Sequence, residues 1–430
     1  MTMRRKAILK VSRGVSPGMG LRVSPKGMLR TGAKAVPKAV PKAGPDQRLF
    51  GILVTRSNNV PPTAANPFPG RTGTFRQISL MAARQGLKVC VFRPGGLLKS
   101  KKQVVAHVYI SGRGWVRQVC PLPAVVYNRV ANRRAESRPW IRRALSWLKQ
   151  QKVQVFNPAF LDKWQVYDIL QTNEETKELV PPTVLYTGTA QLVEKLRRWR
   201  FIYCKPRRGS LGNGIVSLKL MPNGRVAVAW NARGGRWTRR LMLADVEAAA
   251  AWGRRHFRPG WTCLQKGITL ARLHGRQYDI RALVQKDEAG EWRFTGAAGR
   301  VAAQGQVTTH VPRGGSRWRL DKAIKAGLAD PGQAPAVQAN LARLCEKAAA
   351  ALEKGYGELY GEFSLDVGME KSGRLWILEM NSKPFRFDEP DLRRLAYRRL
   401  VSFARFLLEE GEQRRKPDQK PDSDQEHDRA

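Results

Sequence analysis

Two acidic residues and an amide interrupt a stretch that otherwise reads as a buried strand. In LWILEMNSKP (375–384), Leu375, Trp376, Ile377, Leu378 and Met380 suit an apolar strand, but Glu379 and Asn381 sit among them. An ionised carboxylate buried without a partner costs several kcal/mol, so something must stand opposite Glu379. Upstream, GEFSLDVGMEKSGR (361–374) reads as a second strand joined to the first by a turn at Ser372-Gly373. Side chains alternate faces along a strand, which groups Glu362, Ser364 and Asp366 on one face. With Ser372 and Gly373 as the two loop residues, Lys371 pairs with Arg374, Asp366 with Glu379 and Ser364 with Asn381. Directly opposed side chains have Cβ atoms about 5 Å apart, where like charges repel. A divalent cation converts that repulsion into ligation. Asp366, Glu379 and Asn381 offer hard oxygen ligands suited to magnesium, or manganese, that shares its shell with phosphates. The alternative is a solvated hairpin face with no metal.

Such a metal calls for a phosphate-binding loop. FIYCKPRRGSLGNGI (201–215) supplies Lys205 at the end of an apolar run, then Gly209, Ser210, Gly212 and Gly214, then a second apolar run. Glycines let the backbone approach an anion and aim N–H groups at it, and a lysine adds a point charge. The order excludes two common motifs. A Walker loop places its lysine after the glycines and opens a helix, and the dinucleotide fingerprint also needs a helix there. Taken alone, this segment is equally a glycine-rich hairpin or a nucleotide lid.

Other stretches carry weaker signals. In RQYDIRALV (276–284), Asp279 and Arg281 share one face, and by themselves they read as a surface ion pair of little energetic weight. Arg300 lies in a strand of small residues, and an inward arginine needs an anion. THVPRGGSRW (309–318) is open to reading as a substrate loop or a solvated turn; its His310 lacks a nucleophile or carboxylate pattern beside it.

The elements that must hold these residues in place follow from periodicity. LFGILVTR, a Pro/Asn-rich loop (58–70), the helix TFRQISLMAARQG ended by Gly86, and the strand LKVCVFRP describe an open α/β lobe. Beyond 151, strands are expected near 201, 215, 262, 279, 293, 363 and 375, with helices at 162–172, 189–199, 242–257, 334–354 and 390–409. The expected organisation is a disordered basic extension over 1–48, an α/β lobe over 49–150, a mixed α+β body over 151–408 and a charged flexible tail over 409–430.

Composition bounds the partners. The chain has 430 residues and a formal charge of +44, from 78 basic and 34 acidic residues. Residues 1–48 hold twelve Lys/Arg and one Asp, including the low-complexity run AVPKAVPKAGP. The segment from Glu409 carries eight acidic and five basic residues, which leaves about +36 on the middle. A basic surface steers acidic substrates and polyanions, and a plain solvated face is the other reading. No finger, RRM or KH pattern supports specific nucleic-acid recognition. No apolar run reaches the about 18–20 residues of a membrane helix, and the basic N-terminus lacks an apolar signal core. Five scattered cysteines without CxxC spacing suit reduced thiols and a cytoplasmic location.

Lys-Pro before a Gly-Ser-x-Gly-x-Gly loop, with a distant Asp…Glu-x-Asn, resembles the ATP-grasp superfamily. FNPAFLDKW (156–164), KPRRGSLGNGI (205–215), QKGITLARLHGRQYDIRALVQKD (265–287), TGAAGRVA (295–302) and THVPRGGS (309–316) look like the YheC/YheD family, described as endospore coat-associated. That resemblance spans about 49–400 and implies an ATP-grasp fold preceded by an open α/β (pre-ATP-grasp) lobe. It also implies ATP and Mg²⁺ as cofactors. By position, Lys163 and Lys205 would meet phosphates, and Ser210 with Gly209, Gly212 and Gly214 would form a mobile lid. Gln265, Lys266, Gly267 and Ile268 match the hinge that bonds adenine through its backbone, although Gln265 stands where many members carry a ribose-binding acid. Asp279 and Arg281 match the DIR signature of the RimK-like and tubulin-tyrosine-ligase-like branch. Asp366, Glu379 and Asn381 match the magnesium ligands, and Arg300 an arginine that stabilises transferred charge. The implied function is a carboxylate–amine or carboxylate–thiol ligase working through an acyl-phosphate on an unknown, acidic carboxylate. A different class stays open: a non-catalytic ATP-binding or structural protein of the spore coat, with coat proteins as partners.

Overall fold

The apolar run at Leu49 becomes the central strand of a parallel sheet. The structure is a computed structural model that describes residues 48–414 apart from 57–59, 210–212, 232–237 and 303–315. The chain divides into two compact units, Met1–Lys42 and Ala43–Ala430, and all described residues belong to the second. Its first lobe runs β1 (Leu49–Val54), α1 (Thr72–Ala83), β2 (Lys88–Leu98), β3 (Gln103–Ile110), β4 (Gly114–Pro121), β5 (Val125–Arg129), α2 (Arg133–Glu136), α3 (Pro139–Gln150) and β6 (Gln154–Phe156). The strand order is β4-β3-β2-β1-β5-β6, parallel from β2 to β6, with the β3–β4 hairpin antiparallel at one edge. Parallel strands must be covered on both faces. Phe50 and Ile52 pack with Phe75 and Ile78 of α1 on one face, while Leu53 packs with Ile141 and Leu148 of α3 on the other.

The body follows as α4 (Lys163–Thr172), β7 (Thr183–Leu185), α5 (Thr189–Trp199), β8 (Phe201–Pro206), β9 (Val216–Leu220), β10 (Val226–Asn231), β11 (Thr238–Leu243), α6 (Val246–His256) and β12 (Thr262–Lys266). These strands form an antiparallel sheet, β11-β10-β9-β8-β12-β7, backed by α5 and α6. The third part runs β13 (Arg272–Leu273), β14 (Arg276–Lys286), β15 (Trp292–Val301), β16 (Ser316–Arg319), α7 (Leu320–Gly327), α8 (Ala334–Tyr356), β17 (Glu362–Met369), β18 (Leu375–Asn381) and α9 (Pro390–Gln413). Its sheet order is β16-β15-β14-β17-β18, with β13 beside β14. Phe363, Leu365 and Val367 pack onto α8, so the alternation of β17 turns Glu362, Ser364 and Asp366 to the opposite face.

Every strand and helix expected beyond residue 151 is present, but the β3–β4 hairpin, α3, β10–β11 and α7 lay outside that reading. α9 does not stop near Glu409: it continues to Gln413, and its Leu400, Val401 and Phe403 cover the first lobe's sheet. The β17–β18 turn also differs. Glu370, not Lys371, pairs with Arg374, and Lys371-Ser372-Gly373 forms a three-residue loop with Gly373 at φ +86°. That shift by one residue would have moved Glu379 out of register with Asp366. A bulge at Leu378 restores it, so Val367 faces Ile377 while Asp366 faces Glu379 and Ser364 faces Asn381. The five cysteines are free and buried, and among the described residues no helix is long and apolar enough to cross a membrane.

Candidate functional site

The second and third sheets face each other across a cleft, and α4 supplies its end. Asp162 caps α4 by accepting from the Trp164 N–H at 3.0 Å, and it also binds Arg207 Nε at 3.0 Å. The Lys163 N–H donates to the Arg207 carbonyl, which fastens the start of α4 to the end of β8. Lys163 is then the first residue of the helix, where the macrodipole disfavours a cation by about 0.3–1 kcal/mol. An anion offsets this. Lys163 Nζ sits 2.6 Å from Glu379 Oε1 and donates to the Gly209 carbonyl at 3.1 Å. One turn on, Tyr167 lies on the same helix face, and its hydroxyl donates to the Leu378 carbonyl.

Lys205 is as buried as Lys163. It is 8% exposed, and its ammonium donates to Gln265 Oε1 at 2.6 Å, the Leu378 carbonyl at 3.2 Å and Tyr167 Oη at 3.3 Å. Gln265 reaches it because β12 pairs Cys263 with Lys205, placing Gln265 on the diagonal. Burial, reinforced by Lys163, lowers the Lys205 pKa to about 8. The Leu378 bulge thus has a second effect: it turns a carbonyl toward Lys205 and lets Leu378 and Glu379 both line the cleft.

The third sheet contributes a charged rung. Asp279 is directly opposite Arg300, which donates to it from Nε at 2.7 Å and from Nη2 at 2.6 Å. The same Nη2 lies 2.9 Å from Asp366 Oδ2. Burial penalises the Arg300 charge, but Asp279 and Asp366 outweigh that penalty and hold its pKa above the ordinary value. The expected Asp279–Arg281 pair is replaced: alternation put both on one face, but the cross-strand neighbour of Asp279 is Arg300. Arg281 stands opposite Asp366, donates to the Phe385 carbonyl at 2.9 Å and stacks over the Phe387 ring at 4.8 Å.

These groups border an open cavity walled by Tyr203, Ile215, Ile268, Leu270 and Leu378, with Lys205, Asp279, Asp366 and Glu379 at its polar end. Gly267 is needed at the hinge, since a Cβ there would lie 2.2 Å from the Phe201 ring. The hinge N–H groups of Lys266 and Gly267 already donate to Pro182 and Phe201 carbonyls. The Gln265 side chain is committed to Lys205 and Thr183. Gly209 and Gly214 bracket the loop between β8 and β9, and Gly214 has φ +74°. Ser210, Gly212 and His310 lie outside the described residues.

The site suits a metal–nucleotide pair by its donor chemistry. Asp366 and Glu379 are opposed in register with Asn381 two residues on, a hard-oxygen set that magnesium accepts. Among the described residues no cluster of three or more His, Cys, Asp or Glu forms a different metal site. The sequence reading missed Tyr167 and Asn157. Asn157 adopts φ +55° and donates to the carbonyls of Glu362 (2.8 Å) and Ser382, tying the start of β17 to the end of β18. An Asn before Pro in FNPAF was the available signal.

With this geometry in view, similarity to known proteins is informative. The sequence pattern of the YheC/D-like ATP-grasp family matches residues 152–407. The chain is 28% identical over 350 residues to the endospore coat-associated protein YheD of Bacillus subtilis (strain 168), covering 80% of this chain and 76% of that one. It is 23% identical over 312 residues to the endospore coat-associated protein YheC of the same strain, covering 72% and 84%. Among solved structures, the D-alanine–D-alanine ligase from Coxiella burnetii aligns over 86% of this chain and 97% of its own, at 10% identity and a TM-score of 0.47.

Proposed function

The chain belongs to the YheC/D-like ATP-grasp family, and on that premise we propose that it is a magnesium- and ATP-dependent ligase joining a carboxylate to an amine or thiol through an acyl-phosphate. One observation carries the reading: the buried cations Lys163, Lys205 and Arg300 converge with the opposed Asp366–Glu379 pair at the polar end of one cavity. ATP supplies the phosphoryl group and magnesium neutralises its charge. Asp366, Glu379 and Asn381 would hold the metal; Asp366 and Glu379 are the carboxylates that meet Arg300 and Lys163. Lys205 and Lys163 then meet phosphate oxygens. Gln265 positions Lys205 instead of meeting the ribose, and the Ile268 segment with the hinge carbonyls receives the base. Arg300 and Arg281 stabilise charge on the transferred group, while Asp279 orients Arg300. Ser210 and Gly212 take the lid role that the resemblance implies, between Gly209 and Gly214. We place the reaction at the spore coat or on the way to it, following the names of the two relatives.

Magnesium-ATP at about 100 times its dissociation constant adds roughly 2.7 kcal/mol of stability. Melting curves check this, and an ADP-release screen against pools of carboxylates and amines checks the chemistry. No melting shift together with no ADP release in any pool overturns the reading.

A further inference from the structure

A second, larger cavity lies where the first lobe meets the third sheet. Its walls include Phe75, Ile78, Phe160, Phe387 and Leu400, and its cations are Arg71, Arg129, Lys383, Arg386 and Arg393. Among the described residues, the acid lining it is Glu362. That carboxylate is already engaged: the Tyr127 hydroxyl and Gln285 Nε2 (3.1 Å) donate to it, and burial raises its pKa. Lys383 is matched by Glu136 at 2.5 Å.

The arginines are matched only loosely; Arg386 Nε lies 3.7 Å from Asp388 Oδ1. Arg71 donates to the carbonyls of Arg129 (2.8 Å) and Thr55, and its Nε is buried without a partner. Arg129 donates to the Pro384 carbonyl at 3.0 Å, stands 3.8 Å from Glu362, and has its Nη1 buried without a hydrogen bond. Burial, then Arg129 and Arg93, brings the Arg71 pKa down to about 10. Guanidinium groups gathered so closely with so little opposing charge favour an anion from outside.

The paired strands β14 and β17 run from this cavity to the cleft. Glu362, Ser364 and Asp366 share one face of β17, and Gln285, Leu283 and Arg281 stand opposite them on β14. Four residues of strand place the two ends about 13 Å apart. Arg281 stands between the two: it is opposite Asp366, which lines the cleft, and donates to the carbonyl of Phe385, which lines this cavity.

We propose that this cavity binds an elongated organic acid with an apolar body and at least two negative charges. One charge is held by Arg71 and Arg129, and a carboxylate at the far end faces Arg281 and the phosphoryl site. The placement of that carboxylate rests on the ligase reading; the binding does not.

The test uses the full chain without nucleotide, titrated by calorimetry with N-benzoyl-L-glutamyl-L-glutamate, which carries an aryl body and three carboxylates. Its fully amidated, neutral analogue serves as comparison. The triacid is expected to bind about tenfold or more tighter than the neutral analogue. Arg71→Gln should weaken it about tenfold, and Arg393→Gln, at the rim, keeps the test open should Arg71→Gln fail to fold. Arg113→Gln, on the exposed β3–β4 turn, controls for the general positive charge. Equal binding of acid and amide, or equal weakening by Arg113→Gln, overturns the proposal, as does unchanged binding in both cavity variants. Triacid binding with neither a magnesium-ATP melting shift nor ADP release in any pool overturns the ligase reading and leaves this site standing.

Discussion

The two cavities treat positive charge in opposite ways. In the cleft between the second and third sheets, buried cations meet carboxylates: Lys163 meets Glu379, and Arg300 meets Asp279 and Asp366. At the lobe junction, Arg71 and Arg129 are held mostly by backbone carbonyls. The first arrangement is complete without ligand, and its carboxylates are those a metal would claim. The second is left with excess positive charge. A site whose charges are balanced internally responds to substitution through stability, whereas an unbalanced one responds mainly through ligand affinity.

Glu379→Gln breaks the comparison most severely. It strands the buried Lys163 ammonium, so the metal-free protein should lose about 3 kcal/mol, and the magnesium-ATP melting shift should disappear. The double variant Lys163→Met, Glu379→Gln should recover most of the melting temperature without the nucleotide response. Recovery of both would show that Glu379 serves only to neutralise Lys163.

pH gives the next effect. Lys205 titrates at about 8 in the folded chain against 10.5 ordinarily. Between those values the unfolded chain keeps a proton that the folded chain has released, so this group's contribution makes stability rise with pH. Lys383, lowered to about 8 chiefly by burial, acts in the same direction. Magnesium-ATP affinity should run the other way, falling up to about tenfold per pH unit above 8 as the phosphate loses its ammonium partner. Calorimetry from pH 7 to 9.5 checks this, and Lys205→Ala should bind weakly with a flat profile.

Arg71→Met should cost only about 1 kcal/mol, because it removes an uncompensated charge along with two hydrogen bonds to carbonyls. A loss as large as that of Glu379→Gln in chemical denaturation would erase the distinction between the two cavities. Removing residues 1–45, expected as a disordered extension, should shift stability by less than about 0.5 kcal/mol and leave the magnesium-ATP response intact.

Much of the cleft was legible because it depends on short-range rules. Strand alternation put Asp366 and Glu379 on shared faces, and the loop after Lys205 was marked by its glycines. Register was another matter. The Asp366–Glu379 pairing was expected from a two-residue turn, and it arises instead from a three-residue turn and a compensating bulge at Leu378. Neither irregularity has a local signature strong enough to reveal the other. The partners of Lys205 and Arg300 also depend on which strands become neighbours. Gln265 is 60 residues from Lys205, and nothing in DIR announces that its aspartate binds Arg300.

The lobe-junction cavity was invisible for the same reason on a larger scale. It forms because α9 returns to cover the first lobe and the segment after Asn381 turns toward Arg129. The sequence by itself determined which residues alternate, cap, turn or resist burial, since those properties belong to each residue and its nearest neighbours along the chain. Tertiary structure decided which charges face one another and which are left unmatched, because that depends on distances between segments tens to hundreds of residues apart, set by packing of the whole core.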